Sequence, residues 1–377
     1  MTGVARARAR LDASRETARR IGQMSTARMM VVAVIVALLW GAASILSRLA
    51  HHRRVDRAAA AMTRGTSAAV AGHDAEAVTW LRDAVALDPH RPEYRLALGK
   101  ALAGVGRPAE AVPYVSEALR QSPVDGESNL VLARLLVQQG DATEAESAYY
   151  RAIYGRWSPA AQPLRRQARL ELVGLYRRTG QTARLRAALL ELSNAFPGDR
   201  DLQLQAGRDL LDAGFPDDAA RQLRIVDERF ADPGRAPVLL ARAEFARRRY
   251  VQAFAVAGRA LHRLPGDAEA TRVRTLAARV LALDPDQPRL SAARRAARVR
   301  GLLDDVRGRL STCTPSASET SPVVATIDRW LARPGGDVEV GRSLLQAAAD
   351  DWRTTCPVPA EDDAAGRVLN DLVTGQS

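Results

Sequence analysis

Residues 92–123 read PEYRLALGKALAGVGRPAEAVPYVSEALRQSP, and the spacing of glycines around this stretch decides the fold. Gly106 lies within it, and the interval from Gly72 to Gly106 is the same as the interval from Gly106 to Gly140. After a longer step, the same interval separates Gly180 from Gly214. A fixed period of about 34 residues predicts a stacked helical repeat and disfavours a compact globular enzyme.

Other positions keep the same period, each with its own residue type. Alanines occupy the phase shortly after the glycines, prolines close the repeats, and small residues recur in the first half of each unit. These are, in that order, Ala77, Ala111, Ala145, Ala219 and Ala253; Pro89, Pro123, Pro197 and Pro265; and Gly65, Gly99, Ala133, Gly207 and Ala241. The pattern resembles the tetratricopeptide repeat family, whose repeat unit is about 34 residues long.

Each unit of the sequence predicts two amphipathic helices. Residues 94–104 and 108–121 carry apolar side chains at i, i+3, i+4 and i+7. Small residues let the two helices approach closely, glycine ends the first helix, and proline stops the second. The resemblance implies an all-α protein in which helix hairpins stack into a right-handed superhelical solenoid, because one hairpin cannot bury its apolar face alone.

The resemblance covers residues 58–285, which hold about six to seven repeats. In the family's register the repeats begin near Arg57, Pro92, Gly126, Arg166, Arg200 and Gly234, with a degenerate seventh near Ala268. An insertion between the third and fourth repeats, at Trp157–Pro163, predicts a loop. A tolerated surface insertion is the favoured interpretation of this loop, and a partner contact is the alternative.

The positive charge of the chain is concentrated before the repeats. The formal net charge is +12, and residues 1–57 hold eleven arginines against Asp12, Glu16 and Asp56, a balance of +8. The rest of the chain carries only +4. We therefore expect a basic N-terminal segment over residues 1–28 beside a membrane, and no nucleic-acid partner.

Residues 29–47 form an uncharged stretch between Arg28 and Arg48. A helix of this length spans about 28 Å, close to the roughly 30 Å hydrocarbon core of a bilayer. The stretch predicts a transmembrane helix; the alternative is a cleaved secretory signal with its cleavage site at residues 41–43. Arginines flank both ends equally, so the positive-inside rule barely favours a cytoplasmic N-terminus. We expect a single-pass protein of the bacterial inner membrane with extracytoplasmic repeats, because long domains translocate largely regardless of charge.

Two cysteines, Cys313 and Cys356, lie beyond the repeats and border Thr/Pro-rich turns. In an oxidising compartment they predict a disulfide, which stabilises by about 4 kcal/mol in the chain-entropy model; two free thiols are the alternative. Neither cysteine has a second ligand at metal spacing, so we expect no metal site. We divide this region into a capping helix at 286–310, a linker at 311–322, and a C-terminal helical region and tail at 323–377.

The sequence contains no pattern typical of a catalytic or cofactor site. Nucleophile-elbow, phosphate-loop and dinucleotide motifs are absent, and none of the five histidines has a second ligand at metal spacing. Asp304 and Asp305 are adjacent on a polar helix, where a solvated surface is the favoured interpretation. We therefore expect that the protein is not an enzyme and binds no cofactor.

In the family, the first helices of the hairpins line a concave groove, and the residue after the small position faces into it. That residue is basic in four of six repeats, namely Lys100, Arg134, Arg208 and Arg242. Leucines precede it by one turn, at Leu96, Leu130, Leu170 and Leu204, where the carboxylate-clamp subgroup has asparagines. The resemblance implies a mixed apolar and basic groove for an extended acidic peptide or protein. A stripe formed by the abundance of arginine alone is the alternative.

These features predict a non-enzymatic, membrane-anchored scaffold or adaptor that binds protein partners in a bacterial envelope assembly. The resemblance implies secretion, pilus, cytochrome-maturation or polysaccharide machinery as settings. The first alternative is an adaptor that faces the cytoplasm and recruits soluble proteins to the membrane. The weaker alternative is an enzyme whose site lies in the C-terminal region.

Overall fold

The computed structural model describes residues 3–230, 234–313, 322–333, 335–356 and 363–374. Within these ranges the regular structure is helical, with seventeen α-helices and a single 3₁₀ turn at Pro159–Ala161. This confirms the predicted all-α fold. The chain divides into two compact units, Met1–Leu175 and Tyr176–Ser377.

The first unit contains α1 to α6 and most of α7. Its helices are α1 (Gly3–Val70), α2 (Asp74–Leu87), α3 (Pro92–Gly104), α4 (Pro108–Gln121), α5 (Gly126–Gln139), α6 (Ala142–Tyr154) and α7 (Gln162–Arg178). The second unit continues with α8 (Thr182–Ala195), α9 (Arg200–Asp212), α10 (Pro216–Arg229), α11 (Arg235–Ala246), α12 (Tyr250–Arg263) and α13 (Ala268–Leu283). It ends with α14 (Ala292–Cys313), α15 (Pro322–Leu331), α16 (Val338–Thr355) and α17 (Ala364–Val373).

Successive helices pack in pairs, α3 against α4 and α5 against α6 in the first unit, α9 against α10 and α11 against α12 in the second. The second helix of a pair also packs against the first helix of the next pair, as α4 does with α5 and α10 with α11. Each unit therefore contains a stack of helix hairpins whose apolar faces are covered by their neighbours, as the repeat period predicts.

A glycine in the left-handed conformation ends the first helix of the hairpins. The backbone angle φ is 72° at Gly106 and 82° at Gly140, and their amides donate to the carbonyls of Ala103 and Val137 at 3.1 Å. A residue without a Cβ atom adopts positive φ at little cost. The periodic glycine therefore lets the chain turn directly from the first helix into the second.

The two helices of a hairpin touch at the small position of the first helix. A Cβ atom on Gly99 would overlap Val115 Cγ2, and one on Gly207 would lie 2.7 Å from Leu223 Cδ2. The alanines of the second helices are fully buried, at Ala77, Ala111, Ala145, Ala219 and Ala253. Small residues at fixed phases thus set the distance between the helices.

The insertion between the third and fourth repeats begins with a packing residue and continues as an exposed segment. Trp157 is 8% exposed, lies against Gly126, and donates its Nε1 hydrogen to the Ala152 carbonyl at 2.9 Å. Residues 158–160 are exposed. The prediction of a surface insertion is therefore wrong for Trp157, because its indole fills the space beside a glycine.

Helix α1 joins the uncharged stretch at 29–47 to the first hairpin without a break. The stretch is long and apolar enough to cross a membrane, by length and composition, and its side chains are not packed against the protein. Trp40, for example, is 76% exposed. Farther along the same helix, Ala58 and Ala61 are buried in a cluster with Ala84 and Tyr94.

The C-terminal helices share one core. Helix α14 packs against α15 and α16 through a buried apolar stripe, Val299, Leu302, Leu303, Val306 and Leu310. Its end is joined to the end of α16 by the Cys313–Cys356 disulfide, whose Cα atoms are 5.4 Å apart. Helix α14, assigned above to a separate capping helix, therefore forms one helical unit with α15, α16 and α17. Most of the expected linker, residues 314–321, lies outside the described residues.

Arg309 fixes the start of α17 to this core. Its guanidinium lies over the Trp352 ring at 5.4 Å and donates to Asp363 Oδ1 at 2.9 Å. Asp363 also caps α17 by accepting the Gly366 amide hydrogen at 2.9 Å. Burial disfavours the charged form of Asp363, but the hydrogen bonds from Arg309 and Gly366 outweigh burial and lower the pKa of this carboxyl.

Replacing Gly99 with alanine should destabilise the first unit by about 1–3 kcal/mol, because the new Cβ would overlap Val115 Cγ2. The measurement is the free energy of unfolding by urea. Gly258→Ala is the matched control. Gly258 lies in α12, and no atom lies within 4 Å of the new Cβ, so the higher helix propensity of alanine should stabilise the protein by up to about 1 kcal/mol. Equal effects of the two substitutions would contradict close helix contact at Gly99.

Candidate functional site

In each unit the candidate site is the face formed by the first helices of that unit's hairpins. In the first unit it carries Lys100 on α3 and Arg134 on α5; in the second it carries Arg208 on α9 and Arg242 on α11. Lys100 and Arg208 are exposed, and Arg134 and Arg242 are partly buried. We call these side chains, with the leucines one turn earlier, the groove residues.

In the first unit both cations contact a carboxylate on the next first helix. Lys100 pairs with Glu127 on α5. The Arg134 guanidinium binds Glu171 on α7 with two nitrogens, Nη2 to Oε1 at 2.7 Å and Nε to Oε2 at 3.0 Å. Tyr149 donates its hydroxyl to the same Oε2 at 3.1 Å. The hydrogen bond to Glu171 raises the pKa of Arg134 against the opposing effect of burial.

In the second unit Arg242 repeats this arrangement, whereas Arg208 contacts an aspartate of its own helix. Arg242 Nε lies 2.9 Å from Glu269 Oε1 on α13, and Arg242 Nη2 lies 3.5 Å from Asp212 Oδ1 on α9. Arg208 Nε is 3.7 Å from the other oxygen of Asp212. Within each unit, therefore, basic and acidic side chains alternate along the candidate site.

This pairing changes the electrostatic interpretation of the basic stripe. The sequence predicts a row of cations, whereas the structure places a carboxylate beside each of the four. A signal for the pairing exists in the sequence, because the interval from Lys100 to Glu127 is the same as the interval from Arg242 to Glu269. An incoming acidic group would have to replace carboxylates already present.

The leucines of the groove residues differ in accessibility. Leu96 and Leu204 are partly buried and reach the surface, and Leu170 is 38% exposed. Leu130 is only 1% exposed. The assignment of Leu130 to the groove is therefore wrong, because its side chain belongs to the core of the third hairpin.

A shallow cavity of about 330 Å³ opens between α11 and α13 in the second unit. Phe245, Val273 and Leu276 form its apolar floor, and Arg242 and Arg367 lie at its edge. Arg367 comes from α17, and its guanidinium lies 4.6 Å from the centre of the Phe245 ring. The sequence did not indicate that a residue outside the repeats would reach this face.

Among the described residues, no group of three or more histidine, cysteine, aspartate or glutamate side chains is placed to hold a metal ion. The adjacent acids Asp304 and Asp305 each pair with an arginine of their own helix, Arg307 and Arg309. This part of the chain therefore offers surface ion pairs in place of a paired-carboxylate site.

Two segments of the chain, residues 96–161 and 204–268, match the family model described as tetratricopeptide repeat. Both lie inside the range in which the repeat period is visible. A comparison with curated proteins finds no match.

Several solved structures are similar to parts of the chain. The MamA protein is 20% identical over 46% of this chain and 92% of its own, with a TM-score of 0.38. The pilF protein of Pseudomonas aeruginosa is 16% identical over 59% of this chain and 98% of its own, with a TM-score of 0.38. YrrB, described as a TPR protein with an unusual peptide-binding site, is 16% identical over 52% of this chain and 97% of its own, with a TM-score of 0.38. These values are too low to transfer a function.

The bidentate Arg134–Glu171 pair should contribute about 1 kcal/mol of coupling energy, because Tyr149 holds the carboxylate in place. The measurement is a double-mutant cycle of unfolding free energies with Arg134→Gln and Glu171→Gln. The control is the exposed pair Arg353 and Asp350, 3.0 Å apart, which should couple by less than about 0.5 kcal/mol. Equal coupling in both cycles would mean that the groove pair adds no more than a surface contact.

Proposed function

We propose that this chain, which belongs to the tetratricopeptide repeat family, is a non-catalytic, membrane-anchored scaffold that binds protein partners through its groove residues. The observation that carries the proposal is the composition of the groove face. It presents partly buried leucines beside alternating charges, and it lies on the helices that the family uses for binding. Repeat stacks of this kind create extended surfaces suited to peptides and proteins.

The partner that fits the candidate face of either unit best is an extended segment with both apolar and charged side chains. Leu96 and Leu204 offer apolar contacts, while Lys100 with Glu127 and Arg242 with Glu269 can exchange internal ion pairs for intermolecular ones. A strongly acidic partner gains from the cations and is opposed by the carboxylates. We therefore expect moderate salt dependence of binding.

The membrane part of the proposal rests on helix α1. Its unpacked apolar stretch at 29–47 is followed directly by the exposed Arg48, Arg53, Arg54 and Arg57. From Ser47 to Ala58 the helix rises about 16 Å, or about three turns. In a bilayer the first hairpin would stand at that short distance from the hydrocarbon boundary, and the arginines would lie among the headgroups.

For the repeats we propose an extracytoplasmic position, as in an envelope assembly. The Cys313–Cys356 disulfide supports this placement, since disulfides persist in oxidising compartments. The competing function is a cytoplasm-facing adaptor that recruits soluble proteins, and it differs only in the side of the membrane on which the repeats lie.

A photo-crosslinking amino acid at Leu96 or Leu204 in the full chain should give covalent adducts with a partner in intact cells, because both side chains lie on the groove face. The control position is Ile225 on α10, which is 48% exposed but lies on the second helix of its hairpin. Replacing Lys100, Arg134, Arg208 and Arg242 together by serine should reduce the groove adducts several-fold. Adducts of equal yield at Ile225, or adducts unaffected by the four serines, would remove the groove from the proposal.

Labelling of Cys313 and Cys356 in intact cells with a membrane-impermeant thiol reagent tests the side of the membrane. We expect labelling only after an external reductant, since an extracytoplasmic disulfide has no free thiol. A Cys313→Ser/Cys356→Ser variant controls for background. Thiols that label without reduction, and only after lysis, would place the repeats in the cytoplasm.

A further inference from the structure

The last helix of the chain, α17, contacts the sixth and seventh repeats through both apolar and polar side chains. Helix α17 packs against α13, and its buried face includes Val368, Leu369 and Leu372. Asp371 is 7% exposed and accepts the hydroxyl hydrogen of Tyr250 at 2.6 Å. We call the residues of the repeats that contact α17 the docking surface; they are Phe245, Arg248, Tyr250, Val280 and Leu281.

Arg248 provides the main polar contact of the docking surface, and it does so from an unusual backbone position. It follows Gly214 by the same interval that separates Gly214 from Gly180, so it occupies the phase that holds glycine in the other repeats. Its φ of 61° keeps the left-handed conformation of those glycines. The guanidinium Nη1 lies 3.0 Å from Asp371 Oδ1 and also donates to the Thr374 hydroxyl. A side chain thus replaces glycine where the backbone disfavours one, and its guanidinium contacts α17.

Helix α17 packs against α14 and α16 as well as against α13, and its contact with the repeats is less tightly filled than a close-packed core. A cavity of about 280 Å³ lies among α12, α13 and α17, lined by Val251, Val280 and Leu281 with Val368 and Leu372. Burial raises the pKa of Asp371 and also that of Tyr250, so the buried carboxylate is less stable ionised than it would be in water. The disulfide joins α14 to α16 and leaves α17 outside the loop that it closes.

We propose that the docking surface is a binding site for amphipathic helices, which α17 occupies in the free protein and which a helix of a partner protein takes over. The partner helix would carry apolar residues in the pattern of Val368, Leu369 and Leu372, and an aspartate at the position of Asp371. The docking surface would bind the apolar face of the partner helix, and Arg248 and Tyr250 would bind its carboxylate. Arg309 still binds Asp363 at the start of α17, so the helix can leave by swinging about that end.

This inference goes beyond the proposed groove function, because its surface and its ligand are different. The groove residues bind along the first helices, whereas the docking surface lies at the end of α11, the start of α12 and the second half of α13. Loss of binding at the docking surface therefore need not affect binding by the groove residues. The Arg367 side chain, stacked on Phe245, is the point at which α17 reaches the groove.

Hydrogen exchange in the full chain tests whether α17 opens independently. Arg248→Asn should raise the exchange rates of the α17 amides at least tenfold while α14 and α16 stay protected, because asparagine tolerates the left-handed backbone but cannot reach Asp371. Arg289→Asn is the matched control: Arg289 is exposed, has a φ of 67°, and should leave α17 unchanged. Exchange of α17 in step with α14 and α16 in every variant would overturn the proposal.

A labelled peptide of residues 363–374 serves as the probe of the docking surface. It should bind a full-chain Val368→Asp/Leu372→Asp variant, whose own α17 is undocked, at least tenfold more tightly than wild type. Adding Arg248→Asn to that variant, or Asp371→Asn to the peptide, should weaken binding at least tenfold. No binding to a variant that retains native helicity and an intact disulfide would refute the docking surface. A wild-type dimer formed by exchange of α17 would assign the surface to a second copy of the chain and overturn its assignment to a different protein.

Discussion

The close contact between the two helices of each hairpin is the constraint on which the rest of the structure depends. At Gly99 and Gly207 there is no room for even a methyl group, so the side chains of Val115 and Leu223 pack directly on the backbone of the first helix. This contact aligns successive first helices, and the alignment brings cations and carboxylates of neighbouring repeats within reach. The candidate groove is therefore a product of steric fit within the hairpins and not of the charges that line it.

Spacing in the sequence was sufficient to predict the helices, their turns and their pairing. Gly106 and Gly140 each end the first helix of their repeat in the left-handed conformation, and because most repeats need this turn, most carry glycine at the same phase. Features that occur once left no such trace. The burial of Trp157, the burial of Leu130 and the contact of Asp371 with Tyr250 depend on particular neighbours, and the last joins residues far apart in the chain. Of the groove, the sequence predicted the cations but not the carboxylates that accompany them.

The paired charges also explain why net charge is a poor guide to this surface. The chain carries a formal +12, yet the groove residues sit beside Glu127, Glu171, Asp212 and Glu269. An excess of positive charge remains at the arginines around the apolar stretch of α1. The arginines around the apolar stretch of α1 therefore account for long-range electrostatic attraction, and the groove residues account for local recognition.

The unbroken course of α1 has a geometric consequence. A helix turns by about 100° per residue, so the number of residues from Ser47 to Ala58 fixes the azimuth of the first hairpin relative to the apolar stretch. Adding or deleting one residue in this segment would leave the contacts inside the hairpins intact. It would rotate the repeats of the first unit by about 100° around the axis of α1. The length of this arginine-rich segment thus determines the direction in which the groove residues of the first unit face.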